Sequence, residues 1–226
     1  VIGGAQDNGS TRNIGGIGTS FESVMGGDGV SVGLSDLIGG IQYEYVGFQL
    51  GDIIRRASTL ADGFGTLITP PGESGSGLFV TLFKPDVDNA EILYYANDNA
   101  LYRTLSASTV TSATWTSMTG IATAVGAAND ITAIATTRGV YSAATASLFL
   151  GTSNGKVYRL NDPAGVAAGT GPVDITGAGF PATGYVSSIA VNPRNDDTVL
   201  VTFSNYGMTN VFWTGTANSA VPVWTA

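Results

Sequence analysis

A carboxyl group ringed by glycines, in Gly26-Gly27-Asp28-Gly29, is the place where this chain could do acid–base chemistry. Such an aspartate could serve as general acid or nucleophile in glycoside cleavage, which needs two carboxylates at a defined separation. Asp7, Asp52 and Asp98 are the partners that composition offers, and their spacing selects none of them. The plainer reading is a turn aspartate in a glycine hinge, because aspartate bonds its own local backbone. A second polar group, Gln6, Asp7 and Asn8 in Ala5-Gln6-Asp7-Asn8-Gly9-Ser10, reads as a hairpin turn or as a loop offering amides and a carboxylate to a glycan or peptide.

Two acidic loops invite a calcium reading. They are Pro85-Asp86-Val87-Asp88-Asn89 and Pro193-Arg194-Asn195-Asp196-Asp197. Hard cations favour such oxygen ligands, but both loops lack the glycine and distal glutamate of an EF-hand. Turn chemistry is the expectation, with calcium at Asp86, Asp88, Asp196 and Asp197 as the weaker alternative. No resident metal or cofactor is expected.

Other chemistries are removed by composition. The chain has no cysteine and no histidine, so thiolate chemistry and a histidine-based serine triad are excluded. Net charge is −8 and only Lys84 and Lys156 are lysines. Nucleic acid and anionic membrane surfaces are therefore not expected partners, since phosphate binding depends on clustered cations. No apolar run is long enough for a spanning helix, so membrane insertion is not expected either.

The elements that would position these residues recur. Ile41-Gln42-Tyr43-Glu44, Ile92-Leu93-Tyr94-Tyr95, Leu148-Phe149-Leu150-Gly151 and Val199-Leu200-Val201-Thr202 start about 51 to 56 residues apart. Each leads through a turn to a second apolar strand: Ile53-Ile54-Arg55, Leu101-Tyr102-Arg103, Val157-Tyr158-Arg159 and Val211-Phe212-Trp213. Strands precede and follow each pair, the clearest followers carrying Trp115 and Trp224. Four strands per repeat with a period near fifty predict an all-β fold, a β-propeller of four-stranded antiparallel blades. The expected blades are 28–70, 76–120, 130–177 and 185–226, with a partial blade over 1–27. The linkers are 71–75, 121–129 and 178–184, and a helical turn is allowed only at 122–128. Arg55, Arg103 and Arg159 repeat with the strand, which argues for a structural role. Trp115 and Trp224 share a strand position and are expected to pack between blades. Both ends read as strand interrupted, so the chain is expected to be a segment of a larger ring.

The sequence resembles bacterial exported propellers related to sortilin-type and sialidase-type (BNR-like) repeat proteins. The likeness is nearest to cell-surface proteins with a C-terminal secretion-sorting domain. It is carried by residues 3–10, by Gly26-Gly27-Asp28-Gly29, by Gly151-Thr152-Ser153-Asn154-Gly155-Lys156-Val157-Tyr158-Arg159, and by 186–193 continuing into 199–207. The resemblance implies the propeller and an extracellular or cell-surface location. The aspartate box of sialidase-type repeats is degenerate here. The hairpins before Trp115 and Trp224 read Ser106-Ala107-Ser108 and Gly215-Thr216-Ala217-Asn218. An arginine triad and a tyrosine nucleophile are not recognisable. Asp28 bears a likeness to one of the paired aspartates of xyloglucan-cleaving relatives. The leading expectation is a non-enzymatic surface or secreted propeller that presents loops to a protein or glycan ligand, or acts as a spacer. The alternatives are a fragment of a polysaccharide hydrolase using Asp28, and an assembly subunit that pairs through exposed blade edges. Its partners would then be the remaining blades of the same protein or another chain.

Overall fold

The computed structural model describes residues 1–13, 20–61 and 63–226. Its strands, in chain order, are β1 (Ile2–Ala5), β2 (Gly9–Arg12), β3 (Glu22–Met25), β4 (Val32–Ile38), β5 (Ile41–Gly47), β6 (Ile53–Ala57), β7 (Thr66–Leu67), β8 (Leu82–Pro85), β9 (Leu93–Asn97), β10 (Ala100–Thr104) and β11 (Thr116–Ser117). They continue as β12 (Ile131–Thr136), β13 (Ser147–Thr152), β14 (Val157–Asn161), β15 (Val173–Asp174), β16 (Val186–Val191), β17 (Val199–Phe203), β18 (Val211–Thr214) and β19 (Trp224–Thr225). One α-helix, α1 (Thr119–Val125), lies between β11 and β12.

Four sheets have four strands in sequence order: β4 to β7, β8 to β11, β12 to β15 and β16 to β19. The first sheet, β1-β2-β3, has three among the described residues. Strands adjacent in sequence pair antiparallel, as in Phe149↔Arg159 and Tyr45↔Arg55. The chain is thus an all-β run of propeller blades, four complete and one partial. Short turns make the meander. The β9–β10 turn places Asp98 at φ +47°, and the β13–β14 turn places Gly155 at φ +81°. Both are left-handed positions that glycine, and less readily aspartate or asparagine, tolerate.

Two local features depart from the sequence pattern. In the blade expected over 76–120 the first strand begins only at Leu82, leaving Phe79 and Val80 exposed after Gly75 and Gly77, which turn the chain with positive φ. The helical turn lies three residues earlier than expected and ends at Gly126, whose φ of +80° breaks the helix.

The chain divides into two compact units. One comprises Val1–Asn97 with Tyr102–Thr116, the other Asp98–Leu101 with Ser117–Ala226. In the first, Tyr45, Ile53, Phe83, Leu93 and Tyr95 form a buried apolar cluster. In the second, Phe149, Val157, Val186, Val199, Val201 and Phe212 form another. Second-strand glycines let the next sheet close in. A Cβ on Gly47 would meet the Phe83 ring at 2.9 Å, and one on Gly151 would meet Val186 Cγ1 at 2.3 Å.

Candidate functional site

Asp28 sits where β3 passes to β4, after Gly27 at φ +84°. Its Oδ1 accepts the backbone N–H of Asp7 at 2.7 Å. The Gly29 amide donates to the Ala5 carbonyl at 3.2 Å. The structure therefore brings the two sequence motifs together through a clasp between loops. Gln6, Asp7 and Asn8 are exposed at the β1–β2 turn. Asp7 takes φ +62°, and the Asn8 amide bonds the Gln6 carbonyl at 3.2 Å.

The other candidate partners for Asp28 are engaged elsewhere. Asp52 accepts the Thr69 hydroxyl at 3.2 Å. Asp98 belongs to the second unit, where it lies beside Asp130. Partial burial, with Asp98 adding repulsion, raises the Asp130 carboxyl above its ordinary range.

The acidic loops are built as turns. Asp86 Oδ1 accepts the amides of Asp88 and Asn89, both at 2.9 Å. Asp197 Oδ1 accepts the Asn218 amide at 2.8 Å. Among the described residues no group of three acidic side chains is placed to hold a metal ion. Among the described residues no helix is long and apolar enough to cross a membrane.

Two of the repeated arginines, Arg55 and Arg159, and the tryptophans Trp115 and Trp224 fasten consecutive sheets to each other. Arg55 Nη1 donates to the Ser108 carbonyl, and Arg159 Nη1 to the carbonyls of Ala217 and Ser219. Arg12 does the same one sheet earlier, reaching the Ser58 carbonyl at 2.8 Å. In all three, the acceptor lies in the loop that follows the next sheet's third complete strand. Trp115 Nε1 donates to the Ile68 carbonyl at 2.6 Å, and Trp224 Nε1 to the Ile175 carbonyl at 2.8 Å. Ser31 and Thr132 tie the innermost strands through the carbonyls of Thr81 and Val186. Sequence spacing exposed the arginines and tryptophans. Arg12 escaped it because β2, Gly9-Ser10-Thr11-Arg12, lacks the apolar residues that precede the other arginines.

Trp213 takes the place of the arginine in β18. It is 48% exposed, on a face of the last sheet shared with exposed Leu200 and Val211.

The first sheet pair also carries a buried charge cluster. Arg12 Nη1 meets Glu44 Oε1 at 2.9 Å, and Arg56 Nε lies 3.5 Å from Glu44 Oε2. Arg56 Nη1 and Nη2 also donate to the carbonyls of Val24, Leu60 and Ala61. All three side chains are buried and both arginines face the one carboxylate, which marks a structural cluster rather than a reactive one.

No family model matches the sequence, and no curated protein matches it. Among solved structures, the chain is similar to the β-propeller domain of Cps50 (Swd1) from Myceliophteria thermophila. That match has 12% identity and a TM-score of 0.49, and covers 87% of this chain and 54% of the other. It is also similar to the GH74 xyloglucanase from Xanthomonas campestris, with 11% identity and a TM-score of 0.47, covering 99% of this chain and 43% of the other. The chain thus spans about half the length of the solved structures it matches.

Proposed function

We propose that this chain is part of a non-enzymatic propeller, secreted or displayed at the cell surface, that presents loops for contact with a protein or glycan. One observation carries the reading. The Asp28 carboxylate is spent on the Asp7 amide, which holds the exposed Gln6, Asp7 and Asn8 loop against the 26–29 crossing. A clasped polar loop on a rigid sheet loses little conformational entropy on binding. The resemblance to exported sortilin-type and BNR-like propellers, and the acidic, lysine-poor composition, support placement outside the cell. The test is binding to a glycan array and to surface proteins by wild type and by the Asp7→Ala, Asn8→Ala double variant. Binding should fall at least about tenfold in the variant, as expected for loss of hydrogen bonds to charged or polar groups. Unchanged binding would remove this loop from the reading.

The hydrolase alternative rests on Asp28 alone and needs a second carboxylate within about 5–9.5 Å. Asp28→Asn assayed on a polysaccharide panel separates the two. Hydrolysis by wild type that is lost in the variant would favour catalysis.

The assembly alternative has its own observation. Leu200, Val211 and Trp213 leave one face of the last sheet apolar and exposed. Further blades of the same protein, or of a partner chain, would cover it. Light scattering that shows only monomer would count against a partner chain.

A further inference from the structure

In the second unit, a polar cavity of about 380 Å³ opens between the loop ahead of β13 and the loops flanking β17 and β18. Arg159 lies in its wall and is 5% exposed. Two of its three nitrogens are committed. Nε donates to Asn161 Oδ1 at 2.8 Å, and Nη1 to the carbonyls of Ala217 and Ser219. Nη2 makes no hydrogen bond within the described residues. The same holds for the Asp196 carboxylate, the Asn218 side-chain amide and the Asn161 Nδ2 group, all of which line the cavity. The three alanines ahead of β13 add an apolar patch.

We propose that this cavity binds a single neutral sugar unit, a hexose or the hexose end of a glycan. The cavity lies in the size range of small-molecule sites, roughly 300–1,000 Å³. Its unspent groups mix donors (Arg159, Asn161, Asn218) with one strong acceptor (Asp196). Vicinal hydroxyls, each able to donate and accept, suit that mixture. The methyl patch suits the C–H face of a sugar ring. Charge decides between neutral and acidic ligands. Arg159 supplies one positive charge, while Asp196 in the wall and Asp197 beside the guanidinium supply two negative ones. The surplus is negative, so a carboxylate-bearing sugar is repelled while a hydroxyl can still donate to Asp196. The site is separate from the Gln6–Asn8 loop and stands or falls independently of it.

Saturation-transfer NMR on the 226-residue protein tests the site, with glucose, galactose and mannose as probes and glucuronate as the charged control. At least one neutral hexose should bind with a Kd of about 1–10 mM, and glucuronate should bind at least about fivefold more weakly. Asp196→Ala removes the acceptor, and Ala144→Trp fills the cavity from an exposed loop position. Each should weaken binding at least about tenfold with an unchanged melting temperature, while Asp7→Ala leaves it intact. No signal from any neutral hexose up to about 50 mM overturns the proposal. So does tighter binding of glucuronate, or full binding in Ala144→Trp.

Discussion

The sheet pair at the start of the chain is fastened through a buried Arg12–Glu44–Arg56 cluster. The last pair is fastened through rings, with Phe180 central to Phe203, Phe212 and Trp224 at centroid distances of 5.2, 4.9 and 4.9 Å. Both regions use the same strand meander and the same arginine-to-carbonyl bond. The difference shows that the repeat dictates where neighbouring sheets meet but leaves open what fills the gap. Ion pairs demand satisfaction of every group, whereas aromatic packing demands only shape.

The sharpest way to break this contrast is to remove one member from each side. Glu44→Ala strands two buried arginines and should cost about 3–5 kcal/mol. Phe212→Ala leaves a cavity among rings and should cost about the same. Denaturant unfolding gives the totals, and hydrogen exchange gives the location. Glu44→Ala should deprotect β5 and β6, and Phe212→Ala β17 and β18. Equal deprotection of both regions by either variant would show that the two fastenings serve one cooperative body.

A smaller effect sharpens what the regions share. Trp115→Phe and Trp224→Phe keep the ring but delete the indole N–H, leaving the carbonyls of Ile68 and Ile175 short of a partner. Each should cost about 1–2 kcal/mol. A cost confined to one of the two would mean that the tryptophan fastening is not a common device.

The smallest effect concerns charge in the ring-packed unit. Asp130 has a folded-state pKa raised by burial and by Asp98, so ionisation opposes folding above it. Relief comes as pH falls through the raised value, where the folded state binds the proton more tightly than the unfolded one. Asp130→Asn should therefore melt higher than wild type at pH 7. The two should converge near pH 3, below the ordinary carboxylate range. A constant difference across that window would assign the effect to packing instead.

Much of this architecture was legible beforehand, for particular reasons. Second and third strands such as Ser147–Thr152 and Val157–Asn161 announce themselves because apolar residues crowd both faces of a covered sheet. The outer strands are only two residues long in β7, β11, β15 and β19, too short for any alternation to show. The clasp between Asp28 and the Asp7 amide was hidden because its donor is a backbone N–H, which carries no residue signature. The Arg159 cavity was hidden for another reason. Its wall is assembled from residues 143 to 218, and Asp196 reads in sequence as one more turn residue.

The arginine and tryptophan fastenings end on the main-chain oxygens of Ser58, Ser108, Ala217, Ile68 and Ile175. A peptide oxygen is present whatever side chain that residue bears. The receiving half of each fastening can therefore drift almost without limit, while the donating half keeps only one residue per blade. Shape can outlast recognisable spelling in a chain held together this way, and an engineer could recast most of the receiving loops without loosening a joint.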